Sequence, residues 1–101
     1  DDIDLENGIR TISKVLFFQK LQESQMSVQD AKGILQKKLG IPESVVSFIL
    51  YEVAAEYISE DSNENISIFI IRMGREKMQV YQGNRKNKVD IALQGKILNN
   101  S

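Results

Sequence analysis

The segment LENGIRTISKVLFFQKL places Leu5, Ile9, Ile12 and Leu16 at intervals of four, three and four. That spacing marks one face of a helix, with Phe17 and Leu21 on a neighbouring flank. Asp2 or Asp4 can cap its start, and Glu6 suits the positive end of the helix dipole. The run VLFF pulls locally toward strand. In SVQDAKGILQKKLG the pattern is better punctuated. Ser27 with Asp30 three residues later makes a capping box, and Val28, Ala31, Leu35 and Leu39 line one face with Ile34 beside them. Lys37 and Lys38 fall in the last turn, and Gly40 is placed to take a left-handed stop.

Pro42 then opens a third helix, expected over residues 42–59. It is apolar around most of its circumference, from Val45 and Val46 through Phe48, Ile49, Leu50 and Val53 to Tyr57 and Ile58. Such a helix is central in a core or shared with a partner. Its polar edge is acidic, with Glu52, Glu56 and Glu60 recurring every four residues. Like charges at that interval disfavour an isolated helix by roughly 0.2–0.5 kcal/mol per pair, so a cationic neighbour would offset them.

After the polar segment EDSNEN the pattern shifts. ISIFIIRM, KMQVYQ and KVDIALQGKI alternate as strands, separated by GRE and GNRKN. Ile66, Ile68 and Ile70, Met78 and Val80, and Val89, Ile91 and Leu93 would share a core face. On the opposite face Lys77, Gln79, Lys88, Asp90 and Gln94 are polar, while Phe69, Ile71 and Met73 make an apolar patch. The expected fold class is therefore α+β: three helices followed by a three-stranded antiparallel β-meander. Residues 1–101 form a single domain, with a helical part over 4–59 and a β part over 66–97.

Composition narrows the function more than the fold. There is no cysteine and no histidine. Disulfides, thiolate nucleophiles, most zinc sites and the Ser-His and Cys-His catalytic pairs are thereby removed. Carboxylates, Lys and Tyr would have to supply any chemistry, and no phosphate-binding glycine loop or spaced carboxylate–lysine motif is present. The expectation is a non-enzyme without metal or cofactor. No apolar run approaches a membrane span, so no membrane partner is expected. A chain without cysteine fits a reducing cytoplasm. It begins at Asp1 rather than Met, as a fragment or processed form would.

Net charge is only −1, unevenly distributed. Residues 1–65 carry twelve acids against six basic residues, and residues 66–101 carry seven basic residues against Glu76 and Asp90. The halves can neutralise each other within the fold, or the basic part can meet a polyanion.

The stretch LQKKLGIPESVVSFIL resembles the helix-turn-helix of bacterial transcription regulators. Around Gly40, the apolar positions Leu35, Leu39, Ile41, Val46 and Ile49 match the pattern that lets two helices cross. Gln36 departs from it, since the family has a small residue at the crossing. With a helix before and a hairpin after, the order is similar to a winged helix over residues 28–82, more loosely 5–97. A fainter likeness of SVQDAKGILQKKLGIP is to the helix of ubiquitin-like folds.

The helix-turn-helix resemblance implies groove-facing positions at Pro42, Glu43, Ser44, Ser47, Phe48 and Tyr51. Bases are read mainly by Arg, Lys, Asn and Gln, and none occurs there. The favoured expectation is accordingly a protein-interaction or regulatory module on a winged-helix-like scaffold. Its partner would be another protein or a second copy, met through Phe48, Tyr51, Phe69, Ile71 and Met73. The alternative is a DNA-binding module that grips phosphates through basic hairpin turns carrying Arg72, Arg75, Lys77, Arg85, Lys86 and Lys88.

Overall fold

The computed structural model describes residues 2–58 and 63–99, with side chains to residue 88. It contains four helices: α1 (Asp2–Glu23), α2 (Val28–Leu39), α3 (Glu43–Ala55) and α4 (Ile66–Asn99). The expected α+β fold is therefore corrected to an all-helical one. Among the described residues there is no strand, and hence neither a β-meander nor a winged helix.

The reason lies in residues 66–81, whose apolar positions satisfy two periods at once. Ile66, Ile68 and Ile70 alternate, but Ile66, Phe69, Ile70 and Met73 also recur at three and four, and those four are buried together. Ile68 is exposed and Ile71 half-buried, which a strand face shared with Ile66 and Ile70 would not allow for Ile68. The helix start is signalled by Asn65, whose Oδ1 accepts a hydrogen bond from the Ser67 N–H at 2.8 Å. Once α4 begins there, GRE and GNRKN are carried as helix. The side chains of Val89, Asp90, Ile91, Leu93 and Gln94 lie outside the described set.

Helix α3 is the hub, packing against α1, α2 and α4. Val46, Ile49, Leu50, Val53 and Ala54 bury its inner surface among Ala31 and Leu35 of α2 and Ile70 of α4. An aromatic cluster closes one end, with Phe17 lying 5.8 Å from Tyr57 and 6.3 Å from Phe69, ring centre to ring centre. Tyr57 meets Phe69 edge-on at 5.1 Å, a geometry that adds about 0.5–1.5 kcal/mol beyond area burial.

Helix α1 docks on an unexpected side. Its buried residues are Ser13, Phe17 and Leu21, the flank of the sequence stripe rather than the stripe itself. VLFF is helical throughout, and Leu5, Ile9 and Ile12 stay open to solvent.

The turns follow their sequence signals. Gly40 adopts φ 66°, the left-handed conformation that ends α2, and its N–H donates to the Gln36 carbonyl at 3.0 Å. At the other end of α2, Ser27 Oγ accepts from the Asp30 N–H and Asp30 Oδ2 accepts from the Ser27 N–H, both at 3.0 Å. The backbone bond from Ser27, with the Ser27 hydroxyl second, holds the Asp30 carboxyl below the ordinary carboxylate value. A lowered folded-state value means that this contribution is complete above the unfolded value and fades as pH falls through the lowered one. Ser27→Ala is expected to destabilise the domain by about 1 kcal/mol. Urea melts at neutral and acidic pH will show the loss at neutral pH and a weaker acid dependence in the variant.

Candidate interaction surface

The outer face of α3 carries the site. With Val46, Ile49, Leu50 and Val53 turned inward, Phe48 and Tyr51 are turned out, at 52% and 56% exposure. Two neighbouring helices supply the borders. On one side the Phe48 ring lies 6.0 Å from the half-buried Tyr81 ring of α4. On the other, Lys14 Nζ of α1 sits 5.6 Å from the Tyr51 ring centre, within the range of a cation–π contact.

Ion pairs frame this ridge. Arg10 Nη2 reaches Glu52 Oε1 at 3.3 Å, and Lys77 Nζ donates to Glu56 Oε1 at 2.8 Å. These are the cationic neighbours that the acidic edge of α3 calls for, one from each flanking helix; Glu60 lies outside the described residues. Each pair is partly exposed and so contributes only about 0–1 kcal/mol. Their larger consequence is positional, since they tie the edges of α1 and α4 to α3 on either side of the aromatics.

The five residues expected to meet a protein partner do not form one surface. Phe69 and Met73 are buried in the core and Ile71 is half-buried. The Phe69–Ile71–Met73 face depended on strand alternation, which the helix of residues 66–99 replaces. Phe48 and Tyr51 alone remain open. Tyr81, Lys14 and Arg10 join them and were missed. Their signal in the sequence was faint: Tyr81 follows Lys77 by about one helical turn, a relation hidden once KMQVYQ is read as a strand.

The six cations of the alternative site are likewise moved from hairpin turns to one helix. Arg72 makes two hydrogen bonds to Glu64, at 2.8 and 3.0 Å. The bond from Arg72 holds the Glu64 carboxyl below its ordinary value, and the same bond raises the Arg72 guanidinium. Lys77 is held by Glu56. Arg75, Arg85, Lys86 and Lys88 are exposed. At 100° per residue, Arg75 aligns with Lys86 and Lys77 with Lys88, on lines about 160° apart around α4. The cations are thus spread around one helix rather than gathered at two hairpin turns.

No helix among the described residues is long and apolar enough to cross a membrane. Compared with known proteins, the chain matches no family model, no curated protein and no solved structure.

Proposed function

We propose that this chain is a non-enzymatic protein-interaction module, a helical bundle that presents the Phe48–Tyr51 ridge of α3 to a protein partner. One observation carries the reading. Phe17, Phe69 and Tyr57 are buried and Phe18 and Tyr81 half-buried, yet Phe48 and Tyr51 lie side by side on the surface, more than half exposed. Rigid aromatics give much contact area for little conformational entropy, which is why they dominate the centres of protein interfaces. Charged pairs at Arg10–Glu52 and Lys77–Glu56 form the polar rim that such a centre needs.

Selection from a displayed peptide library tests this. Peptides enriched on the wild-type bundle are expected to bind the Phe48→Ala/Tyr51→Ala variant about 100-fold more weakly. The variant will melt within about 1 kcal/mol of wild type, because both side chains are largely solvated already. Enrichment of peptides indifferent to the double substitution, or none at all, counts against the ridge.

A further inference from the structure

A second face is left open, on α1, and its residues say what covers it. Leu5, Ile9 and Ile12 are 66%, 50% and 59% exposed, and Leu16 at the end of the line is half-buried. Val15 adds a further exposed apolar side chain beside Ile12. The docked side of α1, through Ser13, Phe17 and Leu21, is roughly 110° away around the helix axis. Leu5 and Ile9 border a groove whose other wall is Ala55, Glu56 and Ile58, Leu16 packs on the core at its inner edge, and the outer side of the stripe faces solvent.

We propose that this stripe pairs antiparallel with the same stripe of a second copy of the chain. Two properties favour a copy over a foreign helix. The first is the spacing. Four, three and four reads the same in both directions, so a two-fold axis between Arg10 and Thr11 sets Leu5 against Leu16 and Ile9 against Ile12 of the second copy. A two-fold interface demands such self-complementarity, since every contact occurs twice.

The second property is charge. Asp2, Asp4 and Glu6 precede Arg10, Lys14 and Lys20 along α1. Arg10 and Lys14 are turned toward α3, so Lys20 is the cation beside the stripe; antiparallel pairing brings it to the acidic start of the other helix, whereas parallel pairing sets acid beside acid. In the register fixed by the stripe, Asp2 falls next to Lys20 of the second copy, both at the margin of the apolar line. Lys20 otherwise reaches Glu23 of its own helix at 3.7 Å, a surface pair easily exchanged.

A single-helix contact belongs at the small end of interfaces, below about 1,200 Å2, where weak and transient association is the rule. It uses a face distinct from the Phe48–Tyr51 ridge and stands whether or not that ridge binds a partner.

Sedimentation equilibrium of the full chain from micromolar to millimolar concentration tests it. Wild type is expected to show a reversible monomer–dimer equilibrium. Ile9→Lys/Ile12→Lys should shift the dissociation constant by about 100-fold or more with helical circular dichroism unchanged. Charge variants add a test that needs no apolar substitution. Asp2→Lys alone and Lys20→Asp alone should each dimerise several-fold more weakly, and an equimolar mixture of the two should recover dimer, because each then meets its opposite charge twice.

Orientation is read by cross-linking, which the absence of native cysteine makes clean. Leu5→Cys chains mixed with Leu16→Cys chains should form a disulfide that neither forms alone. A monomer at every concentration overturns the proposal. So does a dimer that survives the Ile9/Ile12 substitutions, or Leu5→Cys chains that cross-link to themselves.

Discussion

Phe17→Ala is expected to destabilise the domain by about 3–5 kcal/mol, the largest loss from any single truncation here. Phe17 is completely buried and touches three other aromatic rings, those of Phe18, Tyr57 and Phe69. Neighbours drawn from α1, α4 and the segment after α3 cannot all move inward to fill the space. A domain of this size has only about 5–15 kcal/mol in total, so the melting temperature should fall by roughly 20 °C.

The loss should also be uneven. Helix α1 fully buries only Ser13, Phe17 and Leu21, whereas α3 buries six residues. Amide hydrogen exchange in the variant should therefore show α1 losing protection before α2, α3 and α4. Phe18→Ala, at a half-buried ring, is the comparison and should cost distinctly less. A Phe17→Ala loss below about 1 kcal/mol would mean that α1 is not docked through this ring.

Helix α2 and the turn into α3 were legible because local signals and burial agree there. The Ser27–Asp30 box, the Gly40 stop and the apolar positions Leu35, Ile41, Val46 and Ile49 all name positions that the structure uses in those roles. Two things were not legible. In α1 the most regular stripe, Leu5–Ile9–Ile12–Leu16, is the one left open, while the less regular flank at Phe17 and Leu21 is buried. Periodicity shows that a face exists and is silent about which neighbour covers it.

In residues 66–81 the β-branched run ISIFII fits both periods, and glycine decided between them wrongly. Gly74 beside Arg75 and Glu76 has the composition of a hairpin turn, so the segment divides into strands on paper. In the folded chain Gly74 is mid-helix, and it is glycine because another helix comes close. The candidate surface inherited that error. Phe69 and Met73 left it for the core, and Tyr81 entered it.

Substitution of Gly74 separates the two architectures directly. A Cβ at this position would lie 2.6 Å from Leu35 Cδ2 and 2.8 Å from Leu39 Cδ1, so both leucine methyl groups must shift before α4 can carry a side chain here. Gly74→Val is expected to destabilise by about 3 kcal/mol, the upper end of overpacking, because Leu35 is itself fully buried and has little room to turn away. Gly74→Ala gains about 1 kcal/mol of helix propensity, which the same crowding offsets. Gly33 in α2 is the control: nothing lies within 4 Å of its Cβ position, and Gly33→Ala should stabilise by up to about 1 kcal/mol. Leu39 is only half-buried, so Leu39→Ala can be combined with Gly74→Val without opening the centre of the core. In that background the valine should cost at least about 1 kcal/mol less, a coupling that a denaturation-based mutant cycle resolves. A hairpin with Gly74 at its turn would also resent valine, through backbone strain, but that penalty would be blind to Leu39. Zero coupling would therefore argue that α4 does not lie against α2 at this point, and the burial of Phe69, Ile70 and Met73 would have to be explained in another way.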